Sequence, residues 1–531
     1  MLFAQVTTTG INGVISAASG VLLEGATVKA THLPTGTTYS TSSGKSGVYN
    51  IPNMIPGGPY TVAVTYVGYD SFEETGLNFS LGDNIRFDAT LRTTSTELAS
   101  VVVAGQRGGG SLRRKTGAST SIGREQLSNL PTLSRSLQDF TRTVPQANGN
   151  SFGGMSNRFN NITIDGAVNN DVFGLASSGT PGGQANTTPI SLDAIQEIQV
   201  VLAPYDVSYG NFTGGGVNAI TRSGTNNLEG SVYYFVRNQS FVGKDPVTKA
   251  KTTDFTDKQY GIRLGGPIIK NKLFFFANAE LGRRSAPTIF NAGDDKAVLT
   301  ATQAADLATL VKTKYGYDVG TYGTFDAQTQ SDKVFGRIDW NISDRHRLTI
   351  RHNYISAFDD NISRSGSLFR FGNNAYRFNN KQNITVAELR SRFSNSVSNN
   401  LIVGVHRIRD YRSTYGSLFP SVEISQGSGT IQFGSERSST ANQLDQDIFE
   451  VTDNLKLFKG KHTITLGTHN EFFKFRNLFI NNLNGRWRFA SIDDFVNDFP
   501  RQFDVTYSAD KTGNPLPAAA FKASHLGFYA G

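Results

Sequence analysis

Two glycine-bearing stretches, seven histidines and a set of paired acids are where this sequence offers chemistry. Gly44-Lys45-Ser46 has the ending of a nucleotide-binding loop, but that loop needs a glycine five positions before its last glycine, and Tyr39 stands there. Gly214-Gly215-Gly216 would cradle a phosphate only if it opened a helix with a lysine at the right spacing. The following "VNAITR" alternates like a strand, so these glycines let one backbone turn tightly or approach another closely. The cysteine count is zero, which removes disulfides and thiolate metal sites. His346 and His352 share a strand face but stand on the order of 20 Å apart, and the odd spacing of His462 and His469 puts them on opposite faces. The acid pairs Asp294-Asp295, Asp359-Asp360 and Asp493-Asp494 are expected in polar loops and read as solvated surface, with a loop calcium site as the alternative. With no G-x-S-x-G, no H-E-x-x-H and no cysteine, nothing recognisable is left for nucleophilic or metal-assisted catalysis, so no enzyme and no cofactor are expected.

The elements that would hold these residues are mainly β. Aromatics make up 11% of the chain and glycines number 55, the balance expected of strands and turns. A net charge of +8 spread over 531 residues leaves no concentrated basic run, so no nucleic-acid partner is expected. No apolar run approaches the roughly 20 residues of a spanning helix; a membrane crossing would have to use β-strands of about 10 residues. Residues 1–4, apolar and ending on a small residue, read as a signal-peptide remnant.

From 5 to 95 the sequence consists of short strands between glycine and proline turns, with Tyr60, Val62, Val64 and Tyr66 alternating against Thr61, Ala63, Thr65 and Val67, which predicts a small antiparallel β-sandwich. "G-V-I…G-A-T-V…G-V-Y-N-I…P-G-G-P-Y-T-V…V-G-Y" resembles the carboxypeptidase-regulatory-like domain that precedes outer-membrane receptors. Residues 96–115 follow as a linker around Val101-Val102-Val103, a strand with nothing beside it to pair with, suited to β-augmentation. This segment, Leu98, Ala99, Ser100, Val101, Val102, Val103, Ala104 and Gly105, resembles the TonB box. The resemblance implies capture by TonB, itself driven by the ExbB/ExbD energy-coupling complex.

Residues 116–226 mix short helices, the second capped by Ser134, with strands, which predicts an α+β unit. Asp165-Gly166, Ile195, Ile198, Val200, Tyr209-Gly210, Gly215-Gly216, Asn218 and Thr221 fall in register with the closing pattern of the TonB-dependent receptor plug, and "SYGNFTGGGVNAITRSGTN" resembles the Oar-like subgroup. The amide-rich stretches at Asn157, Arg158 and Asn160 and at Asn169, Asn170 and Asp171 are the expected ligand-binding apex, since polar amides there can hydrogen-bond sugars or peptides.

Residues 227–531 hold about nine strands and the start of a tenth, joined by turns that are alternately short and long, the layout of an antiparallel transmembrane β-barrel. Val334, Gly336, Ile338, Trp340 and Ile342 form an apolar face against Lys333, Phe335, Arg337, Asp339 and Asn341; Leu273, Phe275, Ala277 and Leu281 oppose Lys272, Asn278 and Glu280. A plugged barrel has about 22 strands, so the chain reads as a C-terminally incomplete barrel. The whole resemblance implies a receptor in the outer-membrane lipid that binds an extracellular ligand (oligosaccharide, peptide, protein or chelate) and imports it. A secreted, multidomain β-rich adhesin and a passive porin are the competing readings.

Overall fold

Period-two alternation sets the architecture of the computed structural model, which describes residues 6–94, 117–204, 206–460 and 462–531. The segment Leu98–Gly105 lies outside the described residues. The N-terminal unit is a sandwich of two sheets. One pairs Val48–Met54 with Thr9–Ala17, along which Asn84–Arg86 and Ala89–Leu91 run parallel; the other orders Thr37–Ser42, Thr27–His32, Gly57–Thr65 and Phe72–Phe79. Tyr60, Val62 and Val64 point inward with Ile11, Ile15, Val28 and Ile51 and are fully buried, each removal from water worth about 2 kcal/mol.

The next unit is a five-stranded sheet ordered Ala167–Val168, Asn161–Ile164, Gly216–Thr221, Ile195–Pro204 and Gly117–Ile122. Gly117–Ile122 is its edge and directly follows the linker. Ile122, Ile162, Ile164, Ile198, Val200 and Val217 pack with Phe140 from the short helix Leu137–Thr141. That helix is capped by Ser136 and not Ser134: the Asp139 carboxylate accepts from the backbone and side chain of Ser134 and from the amide of Ser136, so the cap falls two residues later than the sequence suggested. The triple glycine has no left-handed residue and serves close approach. A Cβ at Gly215 would lie 2.8 Å from the Phe152 ring, and one at Gly216 would lie 2.8 Å from the Phe212 ring.

Ten antiparallel strands form one continuous sheet around this unit: β1 (Glu229–Asn238), β2 (Thr256–Ile269), β3 (Leu273–Pro287), β4 (Asp326–Asn341), β5 (His346–Asn361), β6 (Tyr376–Ser394), β7 (Val397–Thr414), β8 (Asn442–Lys459), β9 (His462–Phe479) and β10 (Ala519–Ala530). Each pairs with the next, and β1 and β10 remain unjoined, so the wall is an open arc. Both expected faces are present: Val334, Ile338 and Trp340 are exposed outward at 52%, 39% and 41%, while Lys333, Phe335 and Arg337 face inward at 6%, 1% and 7%. Asn278 and Glu280 are likewise buried on the inner face.

The long connections are more ordered than polar loops. Leu368–Arg370, Gly429–Phe433, Ser421–Gln426, Arg486–Phe489 and Gln502–Asp504, from three different connections, make one five-stranded sheet. The helix Ala301–Tyr315 covers it with Leu307 and Val311. Arg364 ties these connections together, donating to Gly323 O and Asn291 Oδ1 at 2.6 Å each, and burial lowers its guanidinium to about 10.

In the sandwich His32 is buried, with Nδ1 2.8 Å from Thr35 Oγ1, and desolvation lowers its pKa to about 4. Because the folded state takes up its proton later than the unfolded chain does, the neutral-His contribution is complete above pH ~6.5 and is lost as pH falls toward ~4, on the order of 3 kcal/mol. Thermal melts of segment 6–94 between these pH values should therefore show falling stability, and His32→Gln should flatten the pH dependence.

Candidate functional site: the seat of the inner unit in the wall

The hairpin between Asn161–Ile164 and Ala167–Val168 is a two-residue turn, with Asp165 and Gly166 at φ 43° and 75°. Aspartate and glycine are the pair that this left-handed turn favours. The turn drives the Asp165 carboxylate into the wall. Its Oδ1 accepts the Thr221 amide at 2.8 Å, its Oδ2 accepts the Thr221 hydroxyl at 2.6 Å, and Arg351 of β5 and Arg337 of β4 approach to 3.0 and 3.6 Å. Arg337 also donates to Thr221 O at 3.0 Å and grips Asp339 in a two-point pair; Arg351 donates to Ile164 O. Asp165, Arg337 and Arg351 are 5%, 7% and 3% exposed, so each charge depends on the others in place of water.

Further inner-face groups extend this seat. Glu280 of β3 pairs with Lys333 at 2.9 Å and accepts from Ser191 and Tyr233 at 2.9 and 2.8 Å. Glu450 of β8 accepts the Val168 amide at 3.1 Å, Asn353 of β5 donates to Pro189 O at 2.8 Å, and Thr187 meets Ser331 at 2.6 Å. Arg135 pairs with Asp193 and lies 4.1 Å above the Phe235 ring. Apolar contact joins them as well: Phe276 of β3 and Phe335 of β4 pack into the inner unit's own core, Ala167 lies against Ile384, Val386 and Ile402, and Phe173 is edge-on to Phe475. Within the unit, Tyr209 donates to Gln199 Oε1 at 3.1 Å, and burial raises its phenol above the usual range.

The six amide-loop residues are divided in role. Asn160 donates to Asn150 O at 2.7 Å and accepts the Gly215 amide; Asn170 accepts the Ile162 amide at 2.8 Å; Asp171 accepts the Ala176 amide at 2.5 Å. These three hold the loops in shape. Asn157 donates to Ser177 O at 2.7 Å, Asn169 is buried, and Arg158 is exposed beside Phe159. Asp165, Lys333, Arg337 and Glu280 were visible beforehand as a motif and a wet face. Arg351, Glu450 and Ser191 were not, because only tertiary folding brings positions so distant in sequence together. His469 and His525 flank Glu471 at 3.7 and 3.2 Å, a grouping that spacing along one strand could not reveal. Among the described residues no group of three or more His, Cys, Asp or Glu is arranged to hold a metal.

Comparison with known proteins places these units. Residues 220–321 and 295–530 match the outer membrane beta barrel domain, 111–217 the TonB-dependent receptor plug domain, and 10–92 the carboxypeptidase regulatory-like domain. The TonB-dependent transporter Oar of Myxococcus xanthus is 24% identical over 335 residues, covering 58% of this chain and 29% of that protein. The chain thus matches less than a third of that relative's length. The outer membrane transporter YddB of Escherichia coli superposes with a TM-score of 0.54 at 12% identity, over 78% of this chain and 54% of that one, a likeness of fold.

Asp165→Ala should leave Arg337 and Arg351 buried without their shared partner, a loss of about 3–5 kcal/mol. Urea titration of the detergent-purified full-length protein, with protease cleavage of the inner unit as readout, should show that unit loosening before the wall unfolds.

Proposed function

Because the chain belongs to the TonB-dependent receptors of the outer membrane, we propose that it serves a transporter that binds an extracellular ligand and imports it by energised movement of the plug, residues 116–226, within the barrel, 227–531. The observation that carries this reading is the position of the plug's edge strand. Gly117–Ile122 follows the linker that bears Leu98–Gly105 and, among the described residues, pairs only with Ile195–Pro204, from Gly117↔Pro204 to Ile122↔Ile198. A pull that reaches Gly117 across the strand opens those pairs one after another, which takes far less force than shearing them together.

The seat around Asp165 supports the same reading, since its hydrogen bonds and ion pairs can be exchanged for water when the plug moves. An apolar core could not be exchanged so readily. Import requires a closed wall. The backbone left unpaired at β1 and β10 must be met by other strands, because lipid offers no hydrogen bonds. Ligand would first meet the ordered outer connections, the half-buried Asn157 and the exposed Arg158 and Phe159. TonB would take Leu98–Gly105 as an added strand, with ExbB/ExbD supplying energy, and no catalysis is involved. The outward apolar band of Val334, Ile338 and Trp340, with charge on the opposite face, speaks against a soluble adhesin.

Deleting Leu98–Gly105 from the full-length protein should abolish uptake while ligand binding persists; unchanged uptake removes energised transport. Ser119→Cys with Val201→Cys, paired across the plug's edge, should block uptake when joined and restore it on reduction.

A further inference from the structure

The N-terminal sandwich is seated on the short-turn end of the arc and touches wall and plug together. Its edge strand Thr37–Ser42 would otherwise present bare carbonyls. Here the wall takes two of them: Arg347 donates to Thr38 O at 2.7 Å with its guanidinium 4.0 Å over the Tyr39 ring, and Arg392 donates to Ser40 O, while Asn341 donates to the Thr37 hydroxyl at 3.0 Å. Asn53 donates to Asn399 O at 3.2 Å. Toward the plug, the Leu81 amide donates to Glu197 Oε1 at 3.1 Å and Gln199 donates to Leu81 O at 2.8 Å.

Ahead of the sandwich's first strand, the chain also enters the wall. Thr7 is 2% exposed; its hydroxyl donates to Glu388 and accepts from Asn400 at 3.1 Å, and its carbonyl accepts from Arg390 at 3.3 Å. Its methyl lies against the turn that carries Asp165, close enough that a Cβ on Gly166 would stand 2.6 Å from it. The sandwich has a complete core of its own. Among the described residues, none of the buried apolar clusters joins it to wall or plug. A self-sufficient core on a largely polar seat describes a part built to detach.

We propose that this domain is a second closure, an autoinhibitory clamp that holds the plug to the wall from beneath and must leave its seat before the plug is loaded. The order follows from chain reach, and it rests on the transport reading above. Thr94 is fixed to Gly68 O at 3.1 Å, and residues 95–97 separate it from Leu98, whereas residues 106–116 separate Gly105 from Gly117. Extended chain covers about 3.5 Å per residue, so the clamp side becomes taut after about 14 Å and the plug side only after about 40 Å. A pull on Leu98–Gly105 therefore reaches the clamp first.

The test is single-molecule pulling on the full-length protein in lipid nanodiscs, through a handle inserted after Ser100, so that no cargo is needed. Two events are expected, clamp release and then plug unzipping. In Thr37→Cys with Asn341→Cys, joined by a thiol-cleavable bismaleimide, the first event should vanish and plug unzipping should become about tenfold rarer at the same force, both returning on cleavage. Should that pair fail to fold, Asn53→Cys with Asn399→Cys locks the same seat. Identical traces for joined and cleaved protein, or plug unzipping ahead of clamp release, overturn the clamp. Uptake by the Leu98–Gly105 deletion judges the transport reading separately.

Discussion

Hydrocarbon cannot hydrogen-bond a peptide group, and the rest of this structure follows from that constraint. A chain that crosses lipid as strands must pair every amide and carbonyl with a neighbouring strand and must alternate apolar with polar side chains. β4 does this with Val334, Ile338 and Trp340 on one face and Lys333 and Arg337 on the other. The price is a charged inner face. Those charges need partners, and the plug supplies them.

The partnership is specific because it is polar. Asp165 sits between Arg337 and Arg351 at the tip of a turn whose backbone hand Asp-Gly favours, so one local preference places one carboxylate where two guanidiniums converge. Contacts of this kind fix position strongly when intact and can be replaced by water when the plug is drawn away. The plug's own sheet, with Ile162, Ile198, Val200 and Val217 buried, is held together differently and has no such exchange available. The inner unit is held by apolar packing, whereas its seat in the wall combines ion pairs and hydrogen bonds with apolar contact where Phe276 and Phe335 join the inner core.

The same division recurs at the two ends of the arc. At the long-connection end, segments far apart in sequence pool their apolar residues into one small core around Phe369, Phe371, Ile431 and Phe433, which orders what composition alone presents as polar loops. At the short-turn end, the sandwich keeps a private core and meets its neighbours through arginine-to-carbonyl bonds. Order at the outer face and replaceable polar contacts at the inner one fit the import proposed above, recognition on one side and release on the other.

The sequence by itself determined whatever depends on near neighbours. Period-two alternation fixed the strands and their two faces, and glycine and proline fixed the turns, since each rests on residues within one element. It misplaced the cap at Ser134 because two serines two residues apart are locally equivalent, and only the reach of Asp139 selects Ser136. It could not see the outer sheet, whose strands come from three connections, nor the pairing of Asp165 with Arg351, nor the burial of Thr7 beside Glu388. Those were decided by tertiary structure alone, because the energy of a buried charge or a shared core depends on which distant group closes over it, and local pattern carries no record of that.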